Sequence, residues 1–405
     1  MKVISGLTLC WTRFDFDPVS RVDNQRRLFV ELMRELRPRW HSDPGQPRFL
    51  TQWLTEKRAG SRDRKLFREL AYTAWRTLPT LDALTEAALV AQVAAWAEET
   101  PATAAFIDAF RPAAPLPLPA DLELLPSWTA QECPTAIQPP HLSALLRRAP
   151  LWIRLQTDQA NRVAEEFDQL GIGFTPHDII KSAWQIAANA PLQTTQAFRD
   201  GQFEIQDIGS QSLLHSLPDR PTGHWLDACA GAGGKTLQLA HLLGTAGKVT
   251  AHDIRVAALQ ELERRVARAG LLNVAITTEP TETFDAVLVD APCTGSGTWR
   301  RSPHLKWTTS LETIAQAVAT QATLLTQFAP LVAPGGLLVY ATCSLCRREN
   351  EAVATDFLAH HSHFKPSPLL DPATGATLPG GQLSRLPADL DSDAFFIAAF
   401  RREGP

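Results

Sequence analysis

The chain has no apolar stretch long enough to cross a membrane. Its leading apolar run, Val3 to Cys10, is too short and too interrupted to read as a secretory signal. The six cysteines are scattered and do not form a disulfide framework, so they are expected to be cytosolic thiols. Cys343 and Cys346 make a Cys-x-x-Cys pair, but no second pair stands at comparable spacing, and no metal is expected. Nor is there a surplus of positive charge: 39 basic against 43 acidic residues give a net charge of -4. That excludes blanket attraction to nucleic acid and leaves room for local basic patches. No internal repeat recurs at a fixed period. What remains is a globular chain of 405 residues, 44% hydrophobic and 20% charged, long enough for two or three domains.

Residues 1–110 read as helices. Between Arg21 and Arg39, arginines 21, 26, 27, 34, 37 and 39 interleave with Leu28, Phe29, Leu32, Met33 and Leu36. That is an amphipathic helix with a basic face. Phe49 to Arg76 repeats the style, with Arg58, Arg62, Arg64, Lys65 and Arg68 beside Leu66, Phe67, Leu70, Tyr72 and Trp75. Each cluster alone is an ordinary solvated surface; two in one small domain point toward RNA contact. Residues 111–142 are rich in proline and read as an extended linker. Residues 143–218 read as a small α/β module, with strands at Leu151–Leu155 and Phe203–Ile208 around a helix at Arg162–Leu170. Nothing in that module points to chemistry.

From residue 219 strands and helices alternate. His224-Trp225-Leu226 leads through Asp227 into the turn Ala228–Thr236 and then a helix. A strand, a glycine-rich turn and a helix start make a site for a nucleotide-like ligand. A phosphate-binding loop would need glycine where Cys229 stands, and the dinucleotide fingerprint would need glycine where Thr236 stands. A second strand ends at Asp253, at the spacing that suits bonding to ribose hydroxyls. Together these features point to S-adenosylmethionine, which has a ribose and no phosphate. The unbroken run Ala286–Val289 is expected to be a central parallel strand, ending at Asp290 and followed by Pro292 and Cys293. A further strand, entered through Pro334-Gly335-Gly336, ends at Cys343. Parallel sheets bind ligands beyond the carboxyl ends of their strands, so Asp290, Cys293 and Cys343 are candidates for chemistry.

Asp-Ala-Pro-Cys-Thr-Gly-Ser-Gly at 290–297, Tyr-Ala-Thr-Cys-Ser at 340–344 and Glu349-Asn350-Glu351 resemble the Sun/RsmB-type RNA cytosine-C5 methyltransferases. Residues 60–76 resemble that family's NusB-like helical domain, Glu204 to Gln211 the stretch before its catalytic domain, and Asp393 to Phe396 its last strand. The resemblance implies an α/β fold: a Rossmann-like S-adenosylmethionine-dependent domain at 219–405, preceded by an all-helical NusB-like domain and the small α/β module. It implies methylation of cytosine carbon 5, with RNA, ribosomal RNA in particular, as partner.

Carbon 5 becomes nucleophilic only after a thiolate adds at carbon 6, which is why the chemistry needs cysteine. By the resemblance, Cys343 is the nucleophile, Asp290 holds the cytosine edge, Cys293 helps release the product and Lys235 supports the site. The roles of the two cysteines can also be inverted, because Cys293 matches the Pro-Cys nucleophile of DNA cytosine methyltransferases. Cys229, Ala230, Gly231, Ala232, Gly233, Gly234, Lys235, Asp253 and Asp290 are implied to hold the cofactor. The chain departs from the family at Thr277–Pro280, where an adenine-contacting aspartate is usual and Glu279 is the substitute expected. A cytoplasmic monomer is expected. The rival is a non-catalytic RNA-binding or assembly factor that keeps the fold; the intact Cys293, Cys343, Asp290 and Lys235 weigh against it.

Overall fold

The computed structural model describes residues 20–118, 120–188 and 190–404. Cys10 and the apolar run before it lie outside the described residues. The chain divides at Leu118 into two compact units.

The first unit is helical, with its main helices at Arg21–Leu36, Gln46–Glu56, Ser61–Arg76, Glu86–Trp96 and Ala104–Phe110. Ser20 starts the first helix by accepting from the Asp23 amide at 3.1 Å. The helices bury Phe29, Leu32, Leu36, Leu66, Phe67, Leu70 and Trp75. Phe29 meets Phe106 edge to face, with ring centroids 6.0 Å apart. Much of the basic face is engaged within the unit. Arg21 pairs with Asp63 at 3.0 Å, Arg34 with Glu86, and Lys57 with Glu31. Arg62 and Arg64 donate to the carbonyls of Pro101 and Ala59. Gln92 also bonds both backbone groups of Leu116, which ties residues beyond 110 to this unit.

The second unit opens with the stretch read as a linker, and that reading needs correction. Asp121–Leu124, Thr129–Glu132 and His141–Leu146 are short helical turns. Leu125, Cys133, Leu142 and Leu145 are buried against Trp299, Ile314, Leu345 and Cys346. Trp128 Nε1 donates to the Thr309 carbonyl at 3.2 Å, and Lys306 Nζ to that of Leu124 at 3.0 Å. The crowded prolines at 112–119 set the reading, but the apolar residues after them have a surface to cover.

Strands β1 (Leu151–Leu155), β2 (Phe174–Pro176), β3 (Ala183–Ile186) and β4 (Phe203–Ile205) form an antiparallel sheet in the order β2-β3-β1-β4. Helix Ala160–Gln169 covers it through Val163 and Phe167. The strand expected to run to Ile208 stops at Ile205, because Asp207 caps a helix over Ile208–His215 by accepting from the Gly209 amide at 2.8 Å. Ion pairs tie this module to helix Val256–Arg268: Glu204 pairs with Arg265 at 2.8 Å and with Arg268.

The main sheet contains β5 (His224–Asp227), β6 (Lys248–His252), β7 (Val274–Thr277), β8 (Phe284–Asp290), β9 (Val332–Thr342), β10 (Phe364–Pro366), β13 (Gln382–Arg385) and β14 (Phe395–Arg402). A separate hairpin pairs β11 (Leu369–Leu370) with β12 (Thr377–Leu378). The order is β10-β14-β9-β8-β5-β6-β7, with β13 also on β14. Strands β5 to β9 pair parallel, and β14 runs antiparallel to β9. Alternate side chains serve opposite faces. Leu226, Val287 and Val289 pack under helices Leu311–Phe328 and Val353–His360 through Leu325, Phe328 and Phe357. Trp225, Ala286 and Leu288 pack under Ile208–His215 and Gly234–Leu243 through Leu213, Leu239 and Leu243. A sheet buried on both faces explains the unbroken apolar run that marked β8.

Candidate active site

The carboxyl ends of β5, β6, β8 and β9 surround a cavity of about 1090 Å³. Its floor is the glycine turn. Gly233 stands at φ +95°, and a Cβ there would lie 2.3 Å from Leu262, so only glycine closes the turn. Gly233 shapes the turn without lining the cavity, whereas Cys229, Ala230, Gly231, Ala232, Gly234 and Lys235 line it. The Gly231 amide donates to Asp253 Oδ2 at 2.8 Å, which locks the turn to the end of β6. Burial works against the Asp253 charge. The Arg255 side chain, the Arg255 amide and the Gly231 amide outweigh it and hold the carboxyl below its ordinary range. Arg255 reaches back onto both oxygens of Asp253 at 3.0 Å.

At the neighbouring strand ends stand Asp290 and the two cysteines. Strands β8 and β9 are in register with Asp290 opposite Ala341, which carries Cys293 and Cys343 out of the sheet together. Their sulfurs are 3.3 Å apart. The loop after Cys293 is pinned at Gly297, whose amide donates to the Cys343 carbonyl at 2.9 Å. A Cβ at Gly297 would lie 2.2 Å from the Ala394 carbonyl, so this close approach also requires glycine. Lys235 Nζ donates to Asp290 Oδ2 at 2.8 Å.

The thiols are electrostatically unequal. The S–H···S hydrogen bond with Cys293 lowers the Cys343 thiol, and Lys235 and Arg301 act in the same direction against burial and Asp290. That same hydrogen bond, burial and the Glu349 charge push Cys293 well up.

Several residues at this site carried no signal in the sequence. Asp227 is fully buried, and burial pushes its carboxyl up to about 7. One of its oxygens accepts from Thr236 at 2.6 Å, and the other has no hydrogen-bond partner. Gln206 and Ser210, from the module that gave no hint of chemistry, line the cavity beside Arg301, which pairs with the buried Asp393. Arg301 and Asp393 are far apart in sequence, so spacing does not reveal the pair. Thr278 lines the cavity on the β7 side, but Glu279 is exposed and does not. The expected adenine contact from Glu279 therefore has no support in the geometry. Cys346 faces Cys133 with the sulfurs 3.6 Å apart, not the candidate nucleophile. Among the described residues no group of three or more His, Cys, Asp or Glu is placed to hold a metal, and no helix is long and apolar enough to cross a membrane.

Residues 214–401 match the family model described as 16S rRNA methyltransferase RsmB/F. Ribosomal RNA small subunit methyltransferase B of Xylella fastidiosa strain 9a5c is 31% identical over 382 residues, covering 87% of each chain. The chain belongs to the RsmB/F family. Other RsmB/F-type relatives, in Bacillus subtilis, Synechocystis and Aeromonas hydrophila, are matched over less of their length: the chain spans 60%, 49% and 48% of them. Among solved structures, PH0851 superposes with a TM-score of 0.74 at 23% identity, covering 93% of this chain and 98% of that one. NSun6 from Pyrococcus horikoshii superposes at 0.57 with 19% identity, over 65% of this chain and 93% of its own. These two likenesses concern the fold. In this RsmB/F chain the family match spans the glycine turn, Asp253, Asp290 and both cysteines, and it begins after Gln206 and Ser210.

Proposed function

We propose that this chain methylates carbon 5 of a cytosine in RNA, with small-subunit ribosomal RNA as the substrate and S-adenosylmethionine as methyl donor. The observation that carries the reading is the Cys343 thiol, which lines a cavity together with Asp253 and Asp290 and has the Cys293 sulfur 3.3 Å away. Methyl transfer to oxygen or to a protein side chain has no use for a ring-activating thiolate.

The residues present fit the cofactor. Asp253 ends the strand after the glycine turn, where a carboxylate can accept from ribose hydroxyls once Arg255 swings off it. When bound, S-adenosylmethionine supplies an electrophilic methyl group.

The protein's own steps are set by its geometry. The Cys343 thiolate adds to carbon 6 of a cytosine turned out of its stack, forming a carbon–sulfur bond and moving the ring's electrons toward carbon 5. Asp290 accepts from the cytosine amino group and so holds the ring edge, and Lys235, bonded to Asp290, keeps a positive charge near the negative charge that develops on the ring. After methylation the carbon-5 proton passes to solvent, and the Cys293 S–H assists release by hydrogen-bonding to the Cys343 sulfur. The carbon–sulfur bond then breaks and Cys343 leaves as thiolate.

The helical unit is proposed as the NusB-like RNA-binding part of a cytoplasmic, monomeric protein. Because Arg62 and Arg64 hold backbone carbonyls, exposed Arg27 and Arg68 are the better probes of that role. Bisulfite sequencing of ribosomal RNA from a deletion strain tests the whole reading. One 5-methylcytosine should disappear and return with the intact gene. A full set of 5-methylcytosines in the deletion strain would overturn it.

A further inference from the structure

Two cysteines in equivalent positions raise the question of what makes one the nucleophile. The answer lies beneath them. Glu349 is fully buried, on a single π-helical turn over Arg348–Ala352 that turns both Glu349 and Asn350 inward. One carboxylate oxygen accepts from the Thr294 amide at 2.9 Å and from Gln321 Nε2 at 3.1 Å. The other accepts from Thr294 Oγ1 at 2.6 Å and from Ser344 Oγ at 2.5 Å. Thr294 follows Cys293, and Ser344 follows Cys343. Asn350 holds the second loop further, accepting from Thr342 Oγ1 at 2.6 Å and donating to the Ser344 carbonyl at 2.9 Å.

All four partners of Glu349 are neutral, and among the described residues no Lys, Arg or His forms an ion pair with it. A buried carboxylate is costly unless its hydrogen bonds are made, and here both oxygens are filled. Its negative charge therefore stays in the site, uncancelled by a cation. We propose that Glu349 is a positioning residue that makes the two thiols unequal: it bonds both cysteine loops and so fixes an uncompensated carboxylate on the Cys293 side, where Thr294 makes two of its four hydrogen bonds.

The charges facing the pair divide accordingly. On the cavity side stand Lys235 from the helix after the glycine turn, Asp290 at the end of β8, and Arg301 from the loop after Gly297. Lys235 is bonded to Asp290, and Arg301 is held by Asp393. On the buried side stands Glu349, with the Tyr340 hydroxyl donating to its carbonyl at 2.5 Å. Burial keeps that phenol neutral. Cys343 lines the cavity with Lys235, Asp290 and Arg301, whereas Cys293 does not and is followed by Thr294, which holds Glu349. That division favours Cys293 as the S–H donor and Cys343 as the acceptor sulfur.

The inference rests on the proposed methyl transfer for its meaning, but its test needs neither RNA nor cofactor. The full-length protein is treated with iodoacetamide across pH 6 to 9, and modification at each cysteine is read by mass spectrometry. Because only the thiolate reacts and one pKa unit is tenfold in thiolate, Cys343 should alkylate at least ~10-fold faster than Cys293 near neutral pH. In Glu349→Gln the two profiles should converge to within about three-fold, Cys293 gaining reactivity at lower pH. Ser344→Ala and Thr294→Val loosen the clamp but keep the charge, so the order should survive in both. Equal loss of the preference in Ser344→Ala would overturn the proposal, because packing alone would then set the order. An unchanged ratio in folded Glu349→Gln would also overturn it. If that variant does not fold, the native protein still decides: Cys293 reacting first overturns the proposal. Failure of RNA methylation with the alkylation order intact would strike the proposed function and spare this inference.

Discussion

The catalytic unit holds two pairs of facing thiols. Cys293 and Cys343 are 3.3 Å apart, with Cys343 lining the cavity; Cys133 and Cys346 are 3.6 Å apart in the core. The residue type and the spacing are nearly the same, and the surroundings are opposite. The first pair is half-buried, with Lys235 and Arg301 acting on one sulfur. The second is buried among Leu125, Leu142, Trp299 and Leu345. Its hydrogen bond to Cys346, its burial and the charges of Glu132 and Glu349 all push the Cys133 thiol up. Proximity of two sulfurs is therefore not enough to make a nucleophile. A cation on one side and an opening to a ligand are what separate the pairs, and each can be removed.

The largest expected effect breaks the open pair. Cys343→Ala should abolish methylation and form no covalent RNA adduct, a loss of at least ~10³-fold as expected for a missing nucleophile. Cys293→Ala should still attack and transfer methyl, then stall as protein bound to methylated RNA. That species would run as a slow band carrying cofactor label on a denaturing gel. An adduct from Cys343→Ala and none from Cys293→Ala would invert the roles. Full methylation by both variants would end the thiolate mechanism.

The next effect separates the ligand from the thiols. Asp253→Ala removes a carboxylate from the cavity wall. Losing charge-assisted hydrogen bonds of about 1.5–3 kcal/mol should weaken S-adenosylmethionine roughly ten-fold or more. Calorimetry reads that change, and the Cys343 alkylation rate should stay as in the native protein. Unchanged affinity would move the ribose contact elsewhere.

A smaller effect concerns pH. Because the Cys343 thiol is lowered, the thiolate is the form that falls away as pH drops, and single-turnover methylation should rise with pH. The rise should level off below the ordinary thiol value of about 8.5. A midpoint at or above that value would mean that neither the Cys293 hydrogen bond nor the cations lower Cys343.

These comparisons also explain what the sequence could show. Asp290, Cys293, Cys343 and the glycine turn were legible because each is local: a strand ends, and a reactive or small residue comes next. The partners that tune them come from distant elements. Ser344 and Glu349 lie close in sequence, but Thr294 and Gln321 reach Glu349 across 55 and 28 positions. Arg301 finds Asp393, and Gln206 and Ser210 arrive from a module with no chemical pattern of its own. The 121–142 part of the expected linker was misread for the same reason. Its prolines are visible in sequence, whereas the surface formed by Trp299, Ile314 and Cys346 exists only after folding.

The smallest expected effect tests the buried pair. If Cys133 and Cys346 only pack, Cys133→Ala should leave methylation within about two-fold of the native rate, since a core thiol behaves as a small hydrophobe. Its cost should appear in stability. Cys133 is 1% exposed, so deleting its sulfur leaves a small void against Cys346. Removing about one buried heavy atom costs roughly 1–2 kcal/mol, a few degrees in melting temperature. Cys133→Ser should cost more, because a hydroxyl placed there meets mainly apolar side chains. The void lies under the loop that runs from Cys343 to Cys346, so activity is the sensitive control. A ten-fold loss of methylation by Cys133→Ala, with the melting temperature unchanged, would show that the buried pair works on the nucleophile and would dissolve the contrast between the two pairs.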